Sequence, residues 1–522
     1  MPQQRTIYFN DARHYYLFVH EPPMRMEDAW GPIDEVAGTG VDTFIYGVSR
    51  GDGLFYPSKV GLRFGADEDG FDMAAYWRVW ENMQSLIGRG LDPLQMLIDR
   101  AHDKGMDFVA SLRMGDHPGL DAKYTPAGGG RGYVHQEVRD FQLALLQELA
   151  TDYPVDGVEL DFAAAPAGTS FCLKDEDVAE HGATMTEFVR QVSRMVRQRR
   201  GGAGQIGVRV YPTEALNAAT GLQVKPWLEE RLVDYIVPLV YARFVLDPNM
   251  PIDWLVQAAH QHDVSVYGML QPYYSEEHRR FINVVNASVE MMRAASANFR
   301  LKGVDGLYTW FLRWPLGADE RHILTELGDA DLIREGDKHY FLSRRSDDRT
   351  HDYDVPLPLD LPVGSACQIP FTIADDPDND RVQTIALRLG LANFVSADRL
   401  ALRLNGQPLA DEPTRCTSVR RIDPYMGMWL VVQLQKVRPR RGENLLELTL
   451  QERPPRLQGN VTLDDIEVIV KYGTYPPRQE AGRESRPARV GGPGGKTDRG
   501  LAESHDAAAS CLPGPGAHSP PK

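Results

Sequence analysis

Cysteine is scarce in this chain. Its 522 residues include only four cysteines, at Cys172, Cys367, Cys416 and Cys511, and no two of them form a CxxC pair. Zinc clusters and disulfide frameworks need several cysteines at short, regular spacings. The wide spacing therefore argues against both and is compatible with a reducing compartment.

Positive charge is also in short supply. The chain has 57 Lys and Arg residues against 73 Asp and Glu residues, and its formal net charge at pH 7 is -16. A surface that follows a phosphate backbone needs charge of the opposite sign. We therefore expect no nucleic-acid partner.

Long hydrophobic runs are missing as well. No stretch approaches the roughly 20 apolar residues of a membrane span, so we expect no membrane association. The N-terminal segment carries Asp11, Arg13 and His14 ahead of its apolar run, which is not the form of a signal peptide. These features predict a cytoplasmic protein.

The length of 522 residues is enough for several domains, and the length prior suggests about three units. The last segment, 474–522, is dominated by Gly, Pro, Ala, Ser and charged residues. Such a segment cannot bury enough apolar surface to offset the entropy of ordering it. We predict that 474–522 is a disordered tail.

Residues 1–345 alternate short β-branched or aromatic runs with amphipathic helical patterns. The predicted strands are 15–20, 43–48, 107–112, 157–162, 206–210, 235–240, 264–269 and 305–310. Between the third and fourth strands, Val138, Phe141, Leu145 and Leu149 recur at helical spacing. Eight β–α units of this size predict a (β/α)8 TIM barrel. A doubly wound open sheet is the alternative.

Residues 350–473 have a different pattern. Their strand-like runs alternate apolar and polar residues, and no helical pattern lies between them. Asn405-Gly406 lies between two such runs and predicts a hairpin turn. The segment is predicted to be a C-terminal β-sandwich that packs against the barrel, with sugar binding as the alternative role.

Functional side chains of a TIM barrel come from the C-terminal ends of the strands and from the loops that follow. At these positions the sequence combines aromatic, arginine, amide and carboxylate side chains, which suits a polyhydroxylated ligand. The candidate substrate-binding residues are Glu21, Tyr46, Arg113, His117, Arg209, Tyr211, Tyr241, Gln271, Tyr273, Trp310 and Arg313. They predict a carbohydrate as the substrate.

The fourth predicted strand carries two carboxylates, Glu159 and Asp161, two residues apart. They point to one side of the strand, whereas Val158, Leu160 and Phe162 take the other. Burying two carboxylates inside an apolar barrel costs free energy unless they are paired with cations, and it is tolerated where they take part in catalysis. Their repulsion should raise one pKa and leave the other low, as acid–base catalysis requires.

Five motifs are spread over roughly residues 5 to 345, and they are NDARHYYLFVHEPP, RMGDH, DGVELDF, GVRVYPT and LVDYIVP. Together they resemble the bacterial glycosyl hydrolase-like family 10 barrels, and the trailing sandwich is similar to accessory domains of such enzymes. The resemblance implies glycoside hydrolysis, with Glu159 and Asp161 on the strand that bears a catalytic carboxylate in many barrel glycosidases. Gly115 departs from the pattern, because an amide side chain is expected after Arg-Met.

The fourth strand also resembles the chitinase signature of glycoside hydrolase family 18. Asp156, Glu159 and Asp161 match its first three acidic positions. Ala163 stands where the proton-donating glutamate is expected, which argues against a chitinase mechanism.

A glycosidase with two carboxylates needs a partner for the fourth strand, about 5–5.5 Å away for retention or 6.5–9.5 Å for inversion. The seventh strand ends in Gln271 and offers no carboxylate. Of the remaining acids, which are Asp116, Glu21, Glu214 and Asp52, we favour Asp116. The other interpretation of Glu159 and Asp161 is structural, with both forming ion pairs with Arg113 and Arg209.

Two rival functions fit the same barrel. A metal-dependent sugar isomerase or hydrolase would draw its ligands from His20, Glu21, Asp116, His117, Glu159 and Asp161. Against it, the first strand has no HxH motif. The second rival is a non-catalytic carbohydrate-binding protein. No nucleotide-binding signature is present, and we predict neither a metal nor another cofactor.

Overall fold

The structure is a computed structural model. It describes residues 5–11, 17–51, 53–124, 132–163, 172–199, 204–240, 245–276, 284–310, 312, 316–343, 353, 355–420 and 426–473. The segment 474–522 lies outside these residues, so the disordered tail stays a prediction. No helix in the described part of the chain is long and apolar enough to cross a membrane.

Eight parallel strands close into a barrel, which confirms the predicted (β/α)8 fold and excludes the open sheet. In chain order, β1 to β8 are Arg5–Asp11, Thr43–Gly47, Asp107–Arg113, Gly157–Asp161, Gln205–Val210, Tyr235–Pro238, Ser265–Leu270 and Gly306–Thr309. Strands that follow each other in the chain pair side by side, and β1 closes the ring against β8. Two short hairpins, Ser49–Arg50 with Gly53–Leu54 and Tyr273–Glu276 with Val284–Asn286, follow β2 and β7.

The first strand is not where the sequence placed it. β1 is Arg5–Asp11, and Leu17 to His20 form a turn, whereas the rest of the predicted strand lies outside the described residues. Both runs are apolar and aromatic, so local composition does not separate them. In the fold, the second run packs instead of pairing, because Asn82 of a neighbouring helix donates to the carbonyls of Leu17 and His20 at 2.8 Å each.

Helices cover the outside of the barrel. They are α1 Met26–Val36, α2 Ala74–Ile87, α3 Pro93–Asp103, α4 Gln136–Asp152, α5 Val178–Arg199, α6 Glu214–Ala219, α7 Val224–Glu229, α8 Asp253–His260, α9 Val289–Leu301, α10 Ala318–Leu327 and α11 Ala330–Arg334. The apolar spacing recognised in the sequence gives α4 its buried face, with Val138, Leu145 and Leu149 in the core between helices and strands.

The strands separate two apolar clusters. Val158, Leu160 and Phe162 belong to the outer cluster, against the helices, as predicted. The inner cluster fills the barrel and consists of Ile7, Phe9, Ile45, Val109, Ala163, Tyr235, Val237, Leu239, Tyr267, Met269, Tyr308 and Trp310. By the alternation of the strand, Glu159 and Asp161 face this inner cluster.

A repeated Val-Asp dipeptide organises the N-terminal end of the barrel. It precedes β2, β4, β6 and β8, and its valines, Val41, Val155, Val233 and Val304, are buried in the outer cluster. Each aspartate accepts a backbone N–H from the preceding strand. The pairs are Thr6 N to Asp42 (3.0 Å), Phe108 N to Asp156 (2.8 Å), Ile206 N to Asp234 (2.8 Å) and Val266 N to Asp305 (2.8 Å).

The same four aspartates also use their own backbone. Asp42 donates its N–H to the Thr6 carbonyl, and Asp156 donates to the Phe108 carbonyl, so each aspartate binds both polar groups of one partner residue. Asp234 and Asp305 do the same with Ile206 and Val266. Every odd strand is thereby held to the even strand after it, and the barrel consists of four equivalent strand pairs.

The residues after the barrel form the predicted β-sandwich. One sheet contains Lys338–Phe341, Leu359–Leu361, Val382–Ala392, Thr414–Arg420, Met426–Gln433 and Val461–Tyr472, and the other contains Ala366–Ile373, Arg399–Leu404, Gln407–Pro408 and Gly442–Glu452. Leu404 pairs with Gln407, and the φ angles of Asn405 and Gly406 are 51° and 82°, so the hairpin turn is confirmed. The strand Lys338–Phe341 belongs to the sandwich, although it lies within the range predicted for the barrel.

Candidate active site

Charged side chains of alternating sign lie at the C-terminal end of the barrel. The register places Arg113, Asp161 and Arg209 opposite one another on β3, β4 and β5. Asp11, the last residue of β1, accepts a hydrogen bond from Arg113 Nη2 at 2.8 Å. All four side chains are buried, so their charges are compensated by each other and not by bulk water.

The guanidinium of Arg209 joins the two carboxylates of β4. Its Nε lies 2.9 Å from Glu159 Oε1, and its Nη2 lies 3.0 Å from Asp161 Oδ2. Nη2 also donates to Ser111 Oγ at 2.8 Å. The ion-pair interpretation of the sequence analysis therefore holds for Arg209, whereas Arg113 pairs with Asp11.

Glu159 lies one layer deeper than Asp161 and accepts hydrogen bonds at both oxygens. Ser111 Oγ and the Tyr308 hydroxyl donate to Oε1 at 2.8 and 3.1 Å, and the Tyr235 hydroxyl donates to Oε2 at 3.2 Å. Burial raises the pKa of Glu159, and the charge of Arg209 opposes that rise. Glu159 is thus a fully engaged acceptor at the centre of a polar network.

Aromatic rings enclose the guanidinium of Arg209. Its Cζ lies 4.2 Å from the ring centre of Phe9 and 4.8 Å from that of Trp310, which are cation–π distances. The rings of Phe9 and Trp310 are themselves 4.6 Å apart. Arg209 Nη1 is buried and has no hydrogen-bond partner among the described residues.

Asp161 is the carboxylate nearer to the end of its strand. Its Oδ1 accepts from the backbone N–H of Ala163 at 3.2 Å, and its Oδ2 faces Arg209. The Tyr211 hydroxyl has a raised pKa, mainly because it is buried and also because of its electrostatic interactions with Cys172 and Asp161. Asp161 is fully buried, so any substrate that reaches it requires this part of the site to open.

Two further predicted residues lie at the end of β7. The Gln271 side chain is buried and donates to the Val240 carbonyl at 2.9 Å. Tyr273 is half-buried and packs against the inner cluster. Together with Trp310, they place an amide and two aromatic side chains on the side of the barrel formed by β7 and β8.

Two predicted residues lie elsewhere, and two more lie outside the described residues. Glu21 is exposed and accepts a hydrogen bond from Arg78 Nε of α2 at 2.7 Å, because β1 ends at Asp11, nine residues before the end of the predicted strand 15–20. Tyr46 points outward into the helix-facing cluster, where it contacts Phe108, because Ile45 takes the inward position on β2. Tyr241 and Arg313 lie outside the described residues.

Asp116 and His117 follow β3, as predicted, and are half-buried. Gln142 Nε2 donates to the Asp116 carbonyl and lies within hydrogen-bond distance of His117 Nδ1, at 2.6 Å in both cases. The His117 ring also packs at 5.9 Å from that of Tyr133. α4, which carries Gln142, therefore fixes the loop that holds the candidate second carboxylate.

Sequence reasoning missed several members of the cluster, which are Phe9, Asp11, Ser111, Tyr235 and Tyr308. The rule that residues two apart share a side of a strand would have found some of them. Ser111 lies two residues before Arg113, and Tyr308 lies two residues before Trp310. Phe9 and Asp11 were missed because the first strand was predicted at 15–20 and not at Arg5–Asp11.

Metal ligands do not cluster in the described part of the chain, where no group of three or more His, Cys, Asp or Glu side chains is arranged to hold an ion. Between Glu159 and Asp161, the position that a cation would take is occupied by the guanidinium of Arg209. The fixed positive charge beside these carboxylates is thus supplied by the chain itself.

No protein-family model matches the chain, and no curated protein matches it, so the resemblance to glycosyl hydrolase-like family 10 is not confirmed. Solved structures similar to it include α-L-fucosidase isoenzyme 2 from Paenibacillus thiaminolyticus, with 9% identity over 65% of this chain and a TM-score of 0.41. The chain spans about half of that structure, 51%.

This chain covers almost the whole length of two other similar structures. They are an α-L-fucosidase from Vibrio sp. strain EJY3 (10% identity, 90% of this chain, 96% of that chain, TM-score 0.40) and a GH29 α-L-fucosidase from Bacteroides thetaiotaomicron (11% identity, 87% and 94%, TM-score 0.38). These neighbours are glycoside hydrolases, and at such identities and TM-scores the likeness bears on neither the reaction nor the substrate of this chain.

Proposed function

We propose that the protein is a glycoside hydrolase that cleaves the O-glycosidic bond of an oligosaccharide or small glycoside. The observation that carries the proposal is the cluster of Glu159, Asp161 and Arg209 inside the C-terminal end of the barrel. This is the end at which TIM-barrel enzymes bind their substrates. Burying two carboxylates there costs free energy and requires a compensating cation. Such a cost is expected where the carboxylates take part in catalysis.

Asp161 is the better candidate for the carboxylate that acts on the sugar. Both oxygens of Glu159 already accept hydrogen bonds from side chains of the barrel wall. Asp161 lies closer to the C-terminal end of its strand, which is the end at which TIM-barrel enzymes bind their substrates. In this assignment Glu159 orients Arg209, and Arg209 orients Asp161 through their contact at 3.0 Å.

The charge balance suits the transition state of glycoside hydrolysis, which resembles an oxocarbenium cation. Among the described side chains of this cluster, the three carboxyl groups of Asp11, Glu159 and Asp161 stand against the two guanidiniums of Arg113 and Arg209, an excess of one acidic group. A developing positive charge on the sugar ring would be attracted to this excess. We assign the second carboxylate of the reaction to Asp116, in the loop after β3.

The other predicted residues would hold the sugar. Trp310 and Tyr273 supply aromatic faces, and Gln271 supplies an amide beside them. Arg209 Nη1 is a buried donor for which a sugar hydroxyl is a suitable acceptor. Tyr211, Arg113 and His117 remain candidate contacts through their places around the strand ends.

The test is sugar release from a broad panel of glycosides and oligosaccharides, with α-L-fucosides among them, in the presence and absence of EDTA. Wild type is compared with Asp161→Asn. The matched control is Asp156→Asn, which makes the same change at the opposite end of β4. We expect EDTA-resistant hydrolysis that Asp161→Asn lowers by about 10²–10⁴-fold and that Asp156→Asn leaves within a few-fold.

Other outcomes select other functions. Equal turnover by wild type and Asp161→Asn would refute the assignment of Asp161, and loss of activity in EDTA would support a metal-dependent sugar isomerase or hydrolase. A non-catalytic carbohydrate-binding protein is favoured by one observation, the complete burial of both carboxylates against Arg209. Sugar binding without release of product would establish it.

A further inference from the structure

Two segments at the C-terminal end of the barrel contact the β-sandwich. The first is the hairpin after β7, Tyr273–Glu276 with Val284–Asn286. Its Tyr274 donates a hydrogen bond to Glu467 Oε1 of the sandwich at 2.8 Å. The Tyr274 ring also packs edge-on against Phe341 of the sandwich, with ring centres 4.9 Å apart.

Glu467 is a buried and strongly held acceptor. Its Oε2 lies 2.9 Å from Arg388 Nη1 and 3.1 Å from His339 Nε2, and only 4% of its side-chain surface is exposed. Burial alone would raise the pKa of Glu467, but His339 and Arg388 outweigh it and lower that pKa. The carboxylate is therefore a fixed negative charge on the sandwich, pointed at the hairpin.

The second segment is the chain that follows β6. Asn249 donates to the Phe341 carbonyl at 3.1 Å and accepts from the Thr372 N–H at 2.9 Å, so it binds strands of both sandwich sheets. The two segments are also joined to each other, because the Leu246 N–H donates to the Tyr273 carbonyl at 2.7 Å. The sandwich thus holds one continuous part of the barrel rim.

That part of the rim carries a candidate sugar contact. Tyr273 is the residue next to Tyr274, at the point where the pairing of the hairpin shifts register. Tyr274 contacts the sandwich, and Tyr273 packs against the inner cluster of the barrel. The position of Tyr273 is therefore tied to the hydrogen bond between Tyr274 and Glu467.

We propose that the β-sandwich is part of the substrate-binding apparatus, with Glu467 as a positioning residue that acts through Tyr274 to hold Tyr273 against the sugar. The sugar contact rests on the proposed function, whereas the positioning does not. The sandwich then has a role beyond packing, because one wall of the site keeps its shape only while the two domains stay in contact.

The first arm of the test measures amide hydrogen exchange across 273–276 and 284–286. The variants are Glu467→Gln and Tyr274→Phe, of which Tyr274→Phe keeps the ring against Phe341. Loss of a hydrogen bond to a charged group should speed exchange in the hairpin by about tenfold or more and leave the barrel strands unchanged. The control is Tyr340→Phe, which removes a hydrogen bond to Asp375 at 2.9 Å inside the sandwich.

The second arm measures KM and kcat for a glycoside that the wild type cleaves, or Kd where a sugar is only bound. Both variants should raise KM or Kd at least about threefold and leave kcat within about twofold, since Asp161 is untouched. Unchanged hairpin exchange in both variants would overturn the positioning, and faster exchange with unaltered KM or Kd would overturn the role in sugar binding. If no sugar is cleaved or bound, the proposed function fails, and the exchange arm still decides the positioning.

Discussion

The two ends of the barrel use carboxylates in opposite ways. At the N-terminal end, four aspartates each bind the backbone of one neighbouring residue, and the arrangement repeats at every second strand. At the C-terminal end, Glu159 and Asp161 share one guanidinium, and this arrangement does not recur at the other strand ends that the structure describes. The first end is built from independent units and the second from coupled ones.

This difference indicates which end was shaped by folding and which by function. A backbone N–H is present whatever the sequence, so the hydrogen bond that each aspartate accepts from it does not depend on a particular side chain. Asp156, Asp234 and Asp305 also face a basic side chain, but at the partly exposed surface, where such pairs contribute little. A buried carboxylate that faces Arg209 depends on that particular side chain for compensating charge. The N-terminal end should therefore tolerate single changes, whereas the C-terminal end should not.

The largest expected effect is that of Arg209→Met. The change leaves Glu159 and Asp161 buried beside each other without their cation, and the free energy of unfolding should fall by about 3–5 kcal/mol. Denaturant-induced unfolding measures the loss. Adding Glu159→Gln to this variant should restore part of it, because one of the two uncompensated charges is removed.

The control for that prediction is Arg5→Met at the opposite end. Arg5 binds Gln205 and Asp107 at 2.7 Å each, but the Asp107 side chain is 47% exposed. Ion pairs in such positions contribute about 0–1 kcal/mol. Equal losses of stability in the Arg5 and Arg209 variants would contradict the distinction between the two ends.

The second prediction concerns Asp156→Ala at the N-terminal end of β4. The Phe108 N–H loses its acceptor, so the free energy of unfolding should fall by about 1–2 kcal/mol, while hydrolysis or sugar binding stays within about twofold of wild type. Parallel unfolding and activity measurements check both halves. A variant of normal stability with impaired activity would show that this end takes part in function.

The barrel was predictable from the sequence because β–α alternation is a local property of the chain. The inward position of Glu159 and Asp161 was predictable for the same reason, since charged residues at alternate positions mark one side of a strand. The side of β2 on which Tyr46 lies could not be predicted in this way. A barrel strand is buried on both sides and reads as continuously apolar, so a register error of one residue reverses every side chain.

The position of β1 could not be predicted from local sequence either, for a different reason. Residues 5–11 and 15–20 are both apolar and aromatic, and only pairing with β2 and β8, which lie far along the chain, distinguishes them. The error moved the predicted rim from Asp11 to Glu21. The partner of Arg113 was therefore missed, although Arg113 itself was found.

The third prediction contrasts additivity at the two ends. Asp42→Ala and Asp234→Ala affect β2 and β6, which share no partner, so their losses of stability should add within about 0.5 kcal/mol. Glu159→Gln and Asp161→Asn both remove a charge that faces Arg209, so the double variant should deviate from additivity by about 0.5–3 kcal/mol. Two double-mutant cycles by denaturant unfolding measure the difference, and equal coupling at the two ends would contradict it.

The smallest expected effect is a dependence of stability on pH at the C-terminal end. Burial raises the pKa of Glu159 above its ordinary value of 4.5 in the folded state, against the opposing charge of Arg209. The folded state then holds this proton more tightly than the unfolded state does, so the contribution of Glu159 is fully present below pH 4.5 and is lost as the pH rises through the raised value. Glu159→Gln should remove this component, which unfolding midpoints measured against pH will show.

A carboxylate of opposite behaviour provides the control. Burial would raise the pKa of Glu412, but the backbone N–H groups of Val437, Gln435 and Lys436 outweigh it and lower that pKa. Its contribution is therefore present above pH 4.5 and lost on acidification. Glu412→Gln should weaken the acid-induced loss of stability, whereas Glu159→Gln should weaken the loss on raising the pH. If both variants changed the pH profile in the same direction, the raised pKa of Glu159 would be refuted. The view that burial at the C-terminal end disfavours the charged form of Glu159 would then fail as well.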